Sequence, residues 1–149
     1  MLRATKISKY PLDAIDTVTL DSTDRYRRRL QLRSDGGQAF LLDLPHAQLL
    51  RDGDGLVLDD GTIIKVIASP EPLLEVRGQS KQHLLTLAYQ LGNRHQPAEI
   101  CEDHLKIRPD PVIADMLKKL GGQVRDVTAC FNPEGGAYDQ AHAHGHKHD

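Results

Sequence analysis

Histidine is the residue type whose spacing in this chain most clearly predicts chemistry. Four of its eight histidines occupy every second position near the chain end: His142, His144, His146 and His148. Imidazole nitrogen suits nickel, zinc and copper as a ligand, and it has little use for calcium or magnesium. The spacing therefore predicts a cluster that binds ions of the first group.

The residues around this cluster indicate how it would bind. The apolar pattern is lost from Asn132 onward, and the composition of residues 135–149 predicts a flexible, disordered, His-rich tail. No thiolate lies nearby, which argues against a closed structural zinc site. A purification tag is the alternative, although alternation with Ala, Gly and Lys argues against it. We expect reversible binding, which weakens as the imidazoles become protonated.

A second candidate ligand, His95, follows a predicted helix. Ser80 is a candidate N-cap, and leucines recur at helical spacing up to Leu91. Gly92 is expected to end the helix at positive φ, which places His95 in a short exposed turn before Pro97. One imidazole cannot hold a labile divalent ion tightly. Two copies of His95 across a dimer axis could share one ion, and tail histidines could complete its ligand shell.

The remaining pattern predicts a two-domain α+β protein. Residues 1–70 contain short strands separated by turns, which predicts a small all-β sandwich or barrel. The segment Ser69-Pro70-Glu71-Pro72 reads as an extended connector. Residues 71–134 follow the order β-α-β-β-α-β, the ferredoxin-like plan, with Asp110 capping the second helix.

Composition narrows the function classes. The chain has 149 residues and a formal net charge of −2, so neither a nucleic acid nor an anionic membrane is an expected partner. No apolar run approaches a membrane span, and no signal peptide is evident. Cys101 and Cys130 read as buried free thiols, which favours a cytoplasmic location. The Arg25–Arg29 cluster reads as a solvated strand face or as a docking surface for an acidic protein.

Catalysis is not supported by the residues present. No nucleophile, general-base pair or phosphate-binding loop is evident, so we expect a protein that is not an enzyme.

Several segments of the chain resemble the UreE family of urease accessory proteins, the nickel metallochaperones of urease maturation. The segments that carry this resemblance are Asp43-Leu44-Pro45, Leu50-Arg51-Asp52-Gly53-Asp54-Gly55-Leu56, Glu71-Pro72-Leu73-Leu74, Ala88-Tyr89-Gln90-Leu91-Gly92-Asn93-Arg94-His95, Asp115-Met116-Leu117 and Phe131-Asn132-Pro133-Glu134-Gly135-Gly136-Ala137-Tyr138. Together they span nearly the whole chain.

The resemblance implies a homodimer with a peptide-binding-like N-terminal domain and a ferredoxin-like metal-binding domain. It implies that His95 is the nickel ligand at the dimer interface and that the tail histidines bind further nickel. The implied partners are an accessory GTPase and the urease apoprotein in the maturation complex. Residues 107–111 contain no histidine, so an auxiliary His-x-His site of some family members is not expected here.

Two other functions remain open at this point. One is general buffering or storage of zinc, copper or nickel, since the same imidazoles would take Zn2+ or Cu2+ in vitro. The other is a peptide-binding scaffold whose histidine tail is incidental.

Overall fold

The computed structural model describes residues 1–135. Residues 1–69, together with Gly135, form one unit, and residues 70–134 form a second. The predicted disordered tail lies outside the described residues from position 136 onward, and with it the histidines at positions 142, 144, 146 and 148. In the part that is described, no helix combines the length and apolar character that a membrane crossing requires.

The N-terminal unit is built on one curled six-stranded sheet. Its strands are β1 (Arg3–Ser8), β2 (Ala14–Leu20), β3 (Arg29–Arg33), β4 (Ala39–Asp43), β5 (Gly55–Leu58) and β6 (Ile63–Ala68). They lie in the order β2-β6-β5-β1-β4-β3, with β1/β4 and β2/β6 parallel and the other neighbours antiparallel. A helical turn, α1 (Ser22–Arg25), is also present, so the prediction of an all-β unit was wrong in this detail.

One arginine belongs to the interior of this unit. Arg25 is fully buried, and its guanidinium donates to the carbonyl oxygens of Leu20 at 3.3 Å and Leu50 at 3.1 Å. A buried charge is tolerated only when it is hydrogen-bonded, and these two bonds satisfy the guanidinium. They also join α1 to the two segments that contain Leu20 and Leu50. The predicted surface cluster of arginines therefore shrinks to residues 27–29, which are exposed.

The C-terminal unit has the order β-α-β-β-α-β. Its elements are β7 (Glu71–Arg77), α2 (Lys81–Asn93), β8 (Ala98–Ile100), β9 (Leu105–Ile107), α3 (Pro111–Lys119) and β10 (Gln123–Ala129). The strands form an antiparallel sheet in the order β10-β7-β9-β8. The predicted connector ends earlier than expected, because Glu71 and Pro72 already belong to β7. Pro72 has no N–H to donate to a neighbouring strand. It is tolerated at this position because β9 pairs only with residues 74–76 of β7.

Both helices begin at side-chain caps and pack on the same face of this sheet. Ser80 Oγ accepts the backbone N–H of His83 at 3.1 Å, and Asp110 accepts those of Val112 and Ile113, which confirms both predicted caps. The shared core contains strand and helix residues alike: Leu74, Val76, Leu84, Leu87, Leu91, Leu105, Ile107, Ile113 and Leu117. This core fixes α2, and with it the position at which α2 ends.

The other face of the sheet carries a row of alternating charges. Arg125, Glu75, Lys106 and Glu99 are register partners on β10, β7, β9 and β8 in turn. Arg125 pairs with Glu75 at 3.2 Å, and Lys106 pairs with Glu99 at 3.3 Å. Opposite charges on neighbouring strands stabilise this arrangement of the sheet.

Candidate metal site

The end of α2 positions His95 through two backbone hydrogen bonds. The His95 N–H donates to the Gly92 carbonyl at 3.0 Å, and the Gln96 N–H donates to the Leu91 carbonyl at 3.0 Å. Arg94 is the helix C-cap. This pair of bonds defines a Schellman motif, in which the residue after the cap adopts a left-handed conformation.

His95 is that left-handed residue, with φ of 54°. The prediction that Gly92 would adopt positive φ was wrong, because α2 continues through Gly92 to Asn93. Glycine normally occupies the left-handed position, and a residue with a Cβ there costs about 1 kcal/mol. Backbone strain of this kind concentrates at functional positions. The presence of a histidine rather than a glycine therefore indicates that the imidazole at position 95 has a function.

The surface leading to His95 is apolar. Leu85 and Tyr89 are 69% and 67% exposed, and they lie four residues apart on α2, so they share one face of the helix. Gly92 continues this face towards the helix end and is also exposed. We call Leu85, Tyr89 and Gly92 the α2 stripe. Exposed apolar side chains grouped on one helix face are typical of a protein contact.

Two other histidines hold structural contacts that the sequence pattern did not reveal. His83 Nδ1 accepts the Gln79 N–H at 2.9 Å, and His83 Nε2 lies 2.8 Å from the Leu120 carbonyl oxygen. This ring joins the start of α2 to the end of α3, as a neutral imidazole does when it accepts at one nitrogen and donates at the other. The position of His83 in the predicted helix does not show that its ring contacts α3.

His104 contacts a carboxylate beside it in the β8–β9 loop. Its Nδ1 lies 2.7 Å from Asp103 Oδ1, and Arg77 approaches the other Asp103 oxygen at 3.3 Å. The contact with His104, followed by that with Arg77, lowers the pKa of Asp103. The adjacency of Asp103 and His104 is visible in the sequence, but the contribution of Arg77 is not.

Within one copy of the chain, the described residues do not group enough side chains to form a metal site. Across residues 1–135, no three His, Cys, Asp or Glu side chains are grouped so that they could hold a metal ion. Within one copy, His95 therefore presents a single exposed imidazole. A complete site at His95 would need ligands from the tail, from a second copy, or from both.

The route of the chain after β10 bears on this question. Residues 130–134, the crossing segment, pass from β10 towards β8, where the Glu134 N–H donates to the Ala98 carbonyl at 2.8 Å. Ala98 is the first residue of β8 and follows His95 by only three positions. Three residues span at most about 11 Å, so Ala98 lies within that distance of His95. The end of the crossing segment is one hydrogen bond further away, at Glu134.

Cys101 and Cys130 are thiols rather than disulfide sulfurs, and both are half-buried rather than fully buried. Burial, and then the negative charge of Glu99, raise the pKa of the Cys101 thiol. A protonated thiol is a poor ligand, so the location of Cys101 favours a structural role.

Comparison with known sequences gives a consistent family match. The description "UreE urease accessory protein, N-terminal domain" matches residues 2–69, and "UreE urease accessory protein, C-terminal domain" matches residues 71–149.

Three curated relatives illustrate the similarity, and each is named urease accessory protein UreE. The protein from Chelativorans sp. (strain BNC1) is 60% identical, over 99% of this chain and 94% of its own length. The protein from Rhodopseudomonas palustris (strain HaA2) is 54% identical, over 95% of this chain and 67% of its own length. The protein from Beijerinckia indica subsp. indica is 45% identical, over 99% of this chain and 87% of its own length.

Proposed function

The chain belongs to the UreE family of urease accessory proteins, and from this premise we propose that it is a nickel metallochaperone. It would bind Ni2+ and deliver it to the urease maturation complex, where the metallocentre of urease is assembled. It would act there as an accessory protein rather than as a catalyst.

The observation that carries this proposal is the conformation of His95. Its imidazole is exposed, and its backbone is held in a left-handed conformation that a glycine would adopt without strain. Packing does not explain a histidine at this position, because the side chain is exposed. Metal binding does explain it, since imidazole is a strong nickel ligand.

We also propose that the protein is a homodimer formed through the α2 stripe. Leu85 and Tyr89 offer an apolar surface on the same helix that ends at His95. A two-fold axis at the end of this stripe would bring the two copies of His95 together, because a symmetric interface places each residue opposite its own copy. The two imidazoles would then share one Ni2+.

The remaining parts of the proposal follow the family. The N-terminal domain, residues 1–70, would be a peptide-binding-like module, and residues 71–134 would be a ferredoxin-like metal-binding domain. Residues 135–149 would form the histidine tail that binds further nickel. The nickel would pass to a complex of the accessory GTPase and the urease apoprotein in the cytoplasm.

A nickel titration tests the proposal directly. Wild type and His95→Ala are titrated with NiSO4 in the presence of a competing chelator, and the mass of the dimer is measured alongside. We expect His95→Ala to lose the tightest nickel ion per dimer and to remain folded. His46→Ala is the matched control, because His46 is an exposed loop histidine in the N-terminal unit.

Unchanged binding of the first nickel ion in His95→Ala would contradict the proposal. If nickel binds at His95 but urease activation in cells does not depend on the protein, general metal buffering becomes the better function. If replacement of His95 and of all four tail histidines leaves urease activation intact, the peptide-binding scaffold is favoured.

A further inference from the structure

One surface of the N-terminal sheet is lined by arginines from three segments of the chain. Arg29 and Arg33 lie on β3 and are exposed, whereas Leu30 and Leu32 of the same strand pack into the core. Because side chains alternate along a strand, both arginines project from the face of the sheet that is opposite the core. Strand β3 is the last strand of this sheet, so Arg29 and Arg33 lie along its edge.

Two further arginines reach the same face. Arg3 of β1 and Arg28, which precedes β3, lie 3.2 Å and 4.0 Å from the carboxylate of Asp43 on β4. The register of the sheet places Asp43 directly opposite Arg29. Three arginines therefore share one neighbouring carboxylate. We give the name arginine face to the surface formed by Arg3, Arg28, Arg29 and Arg33.

The arginine face carries more positive charge than its own carboxylates neutralise. The side chain of Asp43 is only 19% exposed, whereas that of Arg3 is 52% exposed. Asp59 borders the face, where it accepts the backbone N–H of Arg3 at 3.2 Å. Arg33 donates to a neutral group, the Gly37 carbonyl, at 2.6 Å. Four guanidinium groups against these two carboxylates leave two positive charges in excess.

Aliphatic side chains lie between the arginines. Leu41 of β4 is opposite both Arg3 on β1 and Gln31 on β3, and Ala39 is opposite Arg33. Leu41 and Ala39 are both half-buried. Arginine beside aliphatic carbon is a combination that protein interfaces favour, and the planar guanidinium pairs with carboxylates through two hydrogen bonds.

A nucleic acid is a weaker match to this face. The formal net charge of the whole chain is −2, which opposes the approach of a polyanion with one charge on every phosphate. The strand positions on the arginine face also include no aromatic side chain on which a base would stack. An acidic protein surface, which carries fewer charges and some apolar carbon, fits better.

We propose that the arginine face is a docking surface for an acidic segment of a protein partner, whose carboxylates pair with the guanidinium groups while its apolar side chains cover Leu41. This inference rests on the proposed function, because the urease maturation complex supplies the partner. The arginine face belongs to the N-terminal unit and His95 to the other unit. Partner binding and nickel binding are therefore separable by substitution.

Protection of the sheet edge is the other role that charged residues on β3 can have, because charge on an edge strand opposes aggregation. That role does not account for Arg3, which lies on β1, two strands from the edge. It also does not depend on the sign of the charge. Docking of an acidic segment does depend on the sign, so replacement of arginine by glutamate separates the two roles.

Charge reversal on β3 tests the inference in the full-length chain. The charge-reversed variant carries both Arg29→Glu and Arg33→Glu. Its affinity for a purified complex of the accessory GTPase and the urease apoprotein is compared with that of wild type by biolayer interferometry without nickel. We expect a loss of about tenfold or more near 50 mM NaCl, shrinking to about twofold near 500 mM, because salt screens exposed charges.

Two further variants serve as controls. Arg51→Glu should change the affinity less than about twofold, because Arg51 is an exposed arginine of the same unit outside the arginine face. The combination of Arg29→Gln and Arg33→Gln removes the charge without reversing it and should give an intermediate loss. Circular dichroism shows whether each variant is folded, and nickel titration of each should match wild type.

A defined acidic probe measures the same surface without the maturation complex. Fluorescein-labelled poly-L-glutamate should bind wild type and Arg51→Glu alike, and it should bind the charge-reversed variant about tenfold more weakly, by fluorescence anisotropy at low salt. A labelled DNA duplex should bind wild type more weakly than polyglutamate does.

The outcomes separate this inference from the proposed function. Unchanged affinity of the charge-reversed variant for the complex overturns the docking surface and favours edge protection. An equal loss in Arg51→Glu, or tighter binding of duplex DNA than of polyglutamate, overturns it as well. If wild type does not bind the complex at all, the delivery step of the proposed function fails, and the polyglutamate comparison alone then decides whether the arginine face binds acidic segments.

Discussion

Gly92 and His95 are joined by a 3.0 Å backbone hydrogen bond in which the histidine, rather than the glycine, is left-handed. Gly92 lies inside α2, where a Cβ would meet no atom within 4 Å. His95 occupies the position after the helix cap, where glycine is the usual residue. The proposed nickel binding and helix termination therefore make opposite demands on the residue at position 95.

The first prediction concerns stability at these two positions. His95→Gly should raise the free energy of unfolding by about 0.5–1 kcal/mol, because it relieves the left-handed strain, and it should remove the tightest nickel ion per dimer. Gly92→Ala should also stabilise the protein, by up to about 1 kcal/mol, because alanine has a higher helix propensity than glycine. Urea unfolding of the metal-free proteins measures both changes. A destabilising Gly92→Ala would indicate that Gly92, after all, requires positive φ.

The same pair of residues shows how far the sequence can predict this site. The apolar period and the caps at Ser80 and Asp110 correctly located α2 and α3. The exact helix end was not predictable, because the local preference of Gly92 for a stop is outweighed and α2 continues for two residues beyond Leu91. The resulting conformation of His95 depends on those two residues.

Features of the N-terminal unit that depend on contacts distant in sequence were also missed. Strand β1 is mostly polar, with only Ala4 fully buried, so its sequence carries little strand pattern. The burial of Arg25 depends on carbonyl groups at Leu20 and Leu50, one of them 25 positions away. Strands β1 and β4 pair in parallel, although they are far apart in the sequence. The alternation of polar and apolar residues within one strand does not show which other strand it pairs with.

The second prediction concerns the α2 stripe. Leu85→Glu places a charge in the proposed apolar interface, so the protein should become monomeric at micromolar concentration and lose the shared nickel site. Light scattering after size exclusion measures the mass. Val112→Glu is the matched control, because Val112 on α3 is equally exposed, at 69%. A Leu85→Glu variant that remains dimeric would place the interface elsewhere.

The third prediction concerns acid stability and Glu75. Its pKa is lowered, first by the hydrogen bond from Arg77 and then by Arg125. A lowered pKa in the folded state means that Glu75 stabilises the fold above its unfolded value of 4.5 and that this stabilisation is lost as pH falls below it. Glu75→Gln should therefore be less stable than wild type at pH 7, and the difference should shrink towards pH 3.

The measurement for Glu75 is the urea midpoint of wild type and Glu75→Gln between pH 7 and pH 3. Glu102→Gln serves as the control, since Glu102 is an exposed carboxylate in the same unit. A difference between wild type and Glu75→Gln that stays constant over this pH range would show that Glu75 contributes through packing rather than through its charge.

The fourth prediction concerns the release of nickel by acid. Imidazole binds a metal only in its neutral form, and free histidine takes up a proton near pH 6.5, whereas carboxylates remain ionised to about pH 4–5. Nickel held by His95 and tail histidines should therefore leave between about pH 7 and pH 5, more steeply than a single group titrates because several imidazoles share each ion. Nickel occupancy after dialysis from pH 8 to pH 4 measures the release. Retention of most of the nickel at pH 5 would mean that carboxylates are the principal ligands, and it would contradict the assignment of both His95 and the tail.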